Sequence, residues 1–184
     1  MVTLGHGCTV LLGGARSGKS DLAVKLGAAW DGPVTFIATA EAGDDDMAGR
    51  IARHQADRPA DWQLVEAPML GAAELVEADP TALVIVDCIT LLVSNLMGAG
   101  KSPSQIDDHA SVFSHALVSR PSPTIVVTNE VGLGVHPETE LGRAYRDVLG
   151  RYNKRLVERA ENALFVAAGR VAPLQRLEIS WATA

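Results

Sequence analysis

Short apolar runs rich in Val and Ile alternate along this chain with longer stretches in which apolar residues recur at helical spacing. The runs Thr9–Leu12, Val34–Ala38, Leu64–Glu66, Ala82–Asp87, Thr124–Thr128 and Ala163–Ala167 read as strands. Several of them carry no alternation, which is the pattern of strands covered on both faces in a parallel sheet. From Lys19 to Trp30 the spacing puts Leu22, Ala23, Leu26, Ala29 and Trp30 on one helical face. Leu141, Tyr145, Val148, Leu149, Tyr152 and Leu156 do the same for a long later helix. Asp44, Asp45 and Asp46 supply a cap and negative charge for a further helix on which Met47, Ile51 and His54 share a face. The stretch from Gly98 to Ser104 is small, polar and too short to separate two domains, and reads as a surface loop. The expectation is α/β, with a mainly parallel central sheet flanked by helices and residues 1–184 forming a single domain.

Composition narrows the partners. At 184 residues and 47% hydrophobic the chain is long and apolar enough to bury a core without disulfide or metal staples. Sixteen basic against 22 acidic side chains give a net charge of -6, which argues against nucleic acid or anionic lipid as a partner. Cys8 and Cys88 have no metal-ligand spacing and read as free buried thiols of a reducing compartment. With no basic leader and no apolar run of membrane length, the expected location is the cytoplasm, without membrane insertion.

The chemistry begins at Gly13-Gly14-Ala15-Arg16-Ser17-Gly18-Lys19-Ser20, which satisfies the G-x-x-x-x-G-K-[ST] pattern between an apolar strand and a periodic helix. Glycines let the backbone curl so that successive N–H groups converge on phosphate oxygens at the positive end of the helix. Lys19 then neutralises the β and γ phosphates, and the Ser20 hydroxyl offers a place for Mg²⁺. The P-loop NTPase fold follows as the α/β subtype, RecA-like in outline. Gly100-Lys101-Ser102 is a chance echo, with Asn95 in place of the first glycine and no strand before it. Asp87 closes a strand at its carboxyl end, where a Walker B aspartate holds Mg²⁺; a turn or helix cap is the plainer use of such a residue. Glu130, after the strand ending at Thr128, either polarises an attacking hydroxyl, binds a second substrate, or is a solvated loop carboxylate.

A P-loop names a ligand and not a reaction. Ras-type switches carry an Asn-Lys-x-Asp signature that is absent here, and the charge balance disfavours nucleic acid motors. Six segments in order, however, resemble the bifunctional adenosylcobinamide kinase and adenosylcobinamide-phosphate guanylyltransferase family of cobalamin assembly. They are the P-loop, Phe36–Ala40, Asp45–His54, Arg58–Trp62, Asp87–Leu96 and Val127–Pro137.

The resemblance implies phosphorylation of the aminopropanol hydroxyl of adenosylcobinamide with ATP or GTP, then transfer of GMP from GTP onto adenosylcobinamide phosphate through a guanylylated histidine. The matching position is His54. A neutral imidazole, with an ordinary pKa of about 6.5, can attack the α-phosphorus and leave a labile phosphoramidate. By spacing alone His54, beside Met47 and Ile51, reads as a partly buried helix histidine, so the nucleophile role comes from the resemblance. Arg50, Arg53 and Arg58 lie near enough in sequence for at least one to bind phosphates.

The same resemblance implies guanine nucleotide contacts at Thr39, Ala40 and Glu41, at Gln55, Ala56, Asp57 and Arg58, and at Glu66 and Asp87, with Mg²⁺ at Ser20 and Asp87. It also implies a homo-oligomer. The chain departs from the family in having Asp87 where glutamate is common, and in a tail from Arg170 to Ala184 that follows the pattern loosely and suggests no catalytic part. Two other readings stay open on the residues: a P-loop kinase of a small alcohol that forms no histidine adduct, and a nucleotide-binding regulatory module.

Overall fold

A computed structural model describes residues 5–41 and 58–177. Seven strands form one sheet: β1 (Cys8–Gly13), β2 (Val34–Ala38), β3 (Gln63–Glu66), β4 (Leu83–Asp87), β5 (Thr124–Asn129), β6 (Asn162–Ala167) and β7 (Arg170–Pro173). Their order is β3-β2-β4-β5-β1-β6-β7. All pairings are parallel except that of β6 with β7. The helices are α1 (Lys19–Ala28), α2 (Ala72–Glu77), α3 (Ile89–Gly98), α4 (Pro103–Val118) and α5 (Glu140–Arg159).

The continuous apolar runs have a plain cause, since alternate residues of each strand feed cores on opposite faces of the sheet. Val10, Leu12, Val84, Val86 and Val126 pack with Leu92, Phe113, Leu149 and Tyr152 of α3, α4 and α5. Leu11, Phe36, Ile85, Ile125 and Val127 pack on the other face with Ala23, Leu22 and Leu26 of α1 and with Trp62.

Four expectations change. The loop expected from Gly98 to Ser104 is confined to 99–102, because Gly98 is still in α3 and Ser102 caps α4. The Ser102 hydroxyl accepts from the Gln105 N–H, Gln105 answers to the Ser102 N–H, and Pro103 takes the first helical position, where its missing N–H costs nothing. Leu141 is 71% exposed, since it lies in the first turn of α5 before that helix reaches the core. Ala29 is exposed because α1 ends at Ala28. Of the two thiols, Cys8 is buried and Cys88 half-buried, and both are free.

Candidate nucleotide site

The chain leaves β1 through Gly13, whose φ of 153° favours glycine and whose Cβ, if present, would collide with the Val166 carbonyl of β6. Gly14, Ala15 and Arg16 are exposed, and Arg16 has a φ of 56°. Gly18, with φ 97°, then turns the chain into α1 and leaves that helix with no side-chain cap. An uncapped first turn keeps its N–H groups pointed outward, the arrangement an anion needs. The turn between β6 and β7 backs the loop, the Gly169 N–H donating to the Ser17 carbonyl at 2.9 Å.

Lys19 is buried and folds back so that its ammonium donates to the Gly14 carbonyl at 2.6 Å and the Ser17 hydroxyl at 3.2 Å. Burial pushes its pKa down, opposed by Cys88 and Asp87 nearby. Asp87 ends β4 level with Ala38 of β2, and the Asp87–Cys88 peptide is cis. Ser20 and Asp87 line one cleft of about 270 Å³, together with Asp21, Val24 and Lys25 of α1, Phe36 of β2, and Arg58. The Arg58 guanidinium lies 3.9 Å over the Phe36 ring. Burial lowers the Arg58 pKa, while the negative charges of Asp87 first and Glu66 second hold it up.

Thr39 is fully buried. Its hydroxyl donates to the Cys88 carbonyl and accepts from the Cys88 N–H, and its own N–H donates to the Asp87 carbonyl at 3.1 Å. These bonds fix the end of β4 rather than presenting Thr39 to solvent. The Asn95 amide nitrogen donates to the carbonyls of Thr39 and Pro68, both at 2.9 Å, and so ties α3 to the segments that follow β2 and β3. Ala40 is half-buried and Glu41 exposed just beyond; Glu66 is exposed at the end of β3, paired in register with Ala38. Those of the expected residues that are described therefore gather along the carboxyl ends of β1, β2, β3 and β4, where ligands of parallel sheets bind.

His54, Gln55, Ala56 and Asp57 lie outside the described residues, as do Arg50, Arg53 and the helix expected after Asp46. Sequence reasoning gave no role to Phe36, Lys25 or Asn95. Phe36 and Asn95 sit inside recognised motif segments, and that was the available signal.

A family model described as "Cobinamide kinase / cobinamide phosphate guanyltransferase" matches residues 9–174. The chain is 43% identical over 167 residues to the bifunctional adenosylcobalamin biosynthesis protein CobP of Pseudomonas aeruginosa, covering 90% of this chain and 96% of that one. It is 38% identical over 175 residues to the protein of the same description, CobU, from Salmonella typhimurium, covering 87% and 95%. In fold it resembles the RadB recombinase, with a TM-score of 0.50 at 18% identity over 86% of this chain and 73% of that one. The fold is thus the RecA-like P-loop NTPase fold, and the chain belongs to the cobinamide kinase / cobinamide phosphate guanyltransferase family.

Proposed function

We propose that this chain phosphorylates the aminopropanol hydroxyl of adenosylcobinamide with ATP or GTP, and then transfers GMP from GTP to adenosylcobinamide phosphate, giving adenosylcobinamide-GDP and pyrophosphate. The observation that carries the reading is one cleft in which Ser20 and Asp87 meet Arg58, four residues beyond His54.

In the first step the N–H groups of the loop Gly13–Ser20 cradle the triphosphate. Lys19 leaves the Gly14 carbonyl for the β and γ phosphates, which restores the charge partner that its burial withholds. Ser20 and Asp87 supply an alcohol and a carboxylate oxygen to the lining of one cleft, a donor pair that fits Mg²⁺, which takes one or two protein oxygens and fills the rest of its shell with phosphate and water. Bound there, Mg²⁺ would neutralise charge on the transferring phosphoryl group.

In the second step His54 attacks the α-phosphorus of GTP, the bond to the bridging oxygen breaks, and pyrophosphate leaves with the electron pair. An oxygen of adenosylcobinamide phosphate then attacks the same phosphorus and displaces the imidazole. Arg58, which lines the cleft, lies four residues beyond His54 in the chain. Arg58, desolvated on the Phe36 ring, is the described cation best suited to the phosphates of this step. Ala40, Glu41, Gln55, Ala56, Asp57, Glu66 and Asp87 complete the proposed guanine nucleotide contacts, whereas Thr39, buried and with its polar groups engaged by Cys88, Asp87 and Asn95, holds the end of β4 in place.

The chain is proposed to work as a cytoplasmic homo-oligomer without nucleic acid partners; no helix of the described residues is long and apolar enough to cross a membrane. Incubation with α-labelled GTP and Mg²⁺, followed by peptide mapping, tests the reading. An acid-labile, base-stable label on His54, with His54→Ala losing only GMP transfer, is the expected result. A chain that phosphorylates cobinamide yet never takes label would be a simple kinase.

A further inference from the structure

Glu130 is a carboxylate for which the two proposed steps have no task. Its strand, β5, lies between β4 and β1. Asn129 pairs in register with Gly13, and the next residue, Glu130, donates its backbone N–H to the Gly13 carbonyl at 3.0 Å. One residue further along the loop, the Gly14 carbonyl holds the Lys19 ammonium. Because this lysine serves the β and γ phosphates, the Gly13–Gly14 end of the loop marks the transferable phosphoryl group. Glu130 is joined to that end.

The position is braced from behind. The Asn129 N–H donates to the Thr90 hydroxyl at 2.7 Å, and the Asn129 carbonyl accepts from the Asn153 amide at 3.0 Å. Asn153 in turn accepts from the buried Thr128 hydroxyl at 2.7 Å, and the Tyr145 hydroxyl donates to the Thr90 carbonyl at 3.0 Å. The Glu130 carboxylate accepts from the Gly132 N–H at 2.6 Å, and a Cβ at position 132 would come within 2.8 Å of the same oxygen. Beyond it Leu133 and Val135 stand 79% and 95% exposed, so the segment that carries Glu130 opens to solvent. Asp87, by contrast, lines the cleft with Ser20, and Glu130 is absent from that lining.

We propose that Glu130 is the general base of the phosphorylation step. It accepts a hydrogen bond from the acceptor hydroxyl and takes its proton as that oxygen bonds to the γ-phosphorus. The bond from γ-phosphorus to the β-bridging oxygen breaks, and its electron pair leaves on the nucleoside diphosphate. The inference rests on the kinase half of the proposed function. It leaves GMP transfer untouched, because an ionised phosphate oxygen attacks there and no proton has to be removed.

The test compares wild type, Glu130→Gln and Glu130→Asp in three assays: phosphorylation of adenosylcobinamide, GMP transfer onto adenosylcobinamide phosphate supplied ready-made, and nucleotide affinity. Glutamine keeps an oxygen for the Gly132 N–H but cannot take a proton. The expected kcat for phosphorylation in Glu130→Gln is lower by about 100-fold or more, with the other two readouts within about threefold and partial recovery in Glu130→Asp. Phosphorylation within about threefold of wild type overturns the proposal, as does a parallel fall in both reactions, which marks a structural role. A wild-type chain that guanylylates the ready-made phosphate but never phosphorylates cobinamide refutes the kinase reading itself and this inference with it.

Discussion

The side-chain hydroxyl of Thr39 meets both polar groups of the Cys88 backbone, donating to its carbonyl at 2.7 Å and accepting from its N–H at 2.8 Å. A conserved-volume swap to valine therefore strands a half-buried donor and acceptor and removes the restraint on the neighbouring Asp87. Thr39→Val is expected to lose about 2 kcal/mol of stability in urea unfolding. It should also weaken Mg²⁺-nucleotide binding, while Thr39→Ser keeps both. Equal stability of the valine variant and wild type would contradict this role.

Two adjacent glycines separate backbone demand from ligand demand. At Gly13 a side chain meets the Val166 carbonyl and an unfavourable φ, so Gly13→Ala should cost more than about 2 kcal/mol and abolish nucleotide binding. At Gly14 no atom lies within 4 Å of the missing Cβ. Gly14→Ala should fold within about 1 kcal/mol of wild type, and any lost nucleotide affinity then reports crowding of the phosphates. Denaturant titration with and without nucleotide separates the two effects.

The strands β1, β2, β4, β5 and β6 were legible because burial on both faces writes a near-continuous apolar run, β3 only as the short run Leu64–Glu66 because it is largely exposed at the sheet edge, and the phosphate loop because it stands between such an apolar run and a helix. The seventh strand was not. The β6–β7 turn consists of Ala168 and Gly169, with φ of 48° and 72°, a two-residue turn whose usual Asn-Gly signal is missing. Every residue of β7 is exposed, so no apolar pattern marked it either. α3 was hidden for the opposite reason: buried at Ile89, Thr90, Leu92, Val93 and Leu96, it shows too little polar contrast for its period to stand out. In the site, the motif located Arg58 but not its stacking on Phe36, since contact between β2 and a residue after the next segment is set by tertiary packing alone.

Acid should loosen the α4–α5 face through His109. The Leu70 carbonyl can only accept, so Nε2 carries the ring proton at 2.9 Å from it, and Nδ1 accepts from the Tyr152 hydroxyl at 3.0 Å. Burial depresses the pKa of this imidazole, against the pull of the Leu70 carbonyl and Glu74. A histidine with a folded pKa below its unfolded value of about 6.5 stabilises the fold fully above that pH, and the contribution is lost as pH falls toward the folded pKa. Unfolding free energy should therefore drop below pH 6.5, and His109→Gln should flatten that part of the profile. An unchanged slope in the variant would assign the acid sensitivity to other groups.

Lys19 separates stability from activity. Its ammonium is buried on a carbonyl and a hydroxyl rather than on a full counter-charge, and desolvation lowers its pKa. Replacing such a cation with an apolar chain of similar length removes a desolvation cost, so without added nucleotide Lys19→Met should melt within about 1 kcal/mol of wild type or slightly above it. The triphosphate complex loses its charge partner, however, and phosphorylation should fall by about 10³-fold or more. Ligand linkage gives an independent readout: nucleotide at 100 times its Kd should stabilise wild type by about 2.7 kcal/mol and the variant by much less at the same concentration. A variant that is both destabilised and still stabilised by nucleotide like wild type would mean that Lys19 serves the fold and not the phosphates.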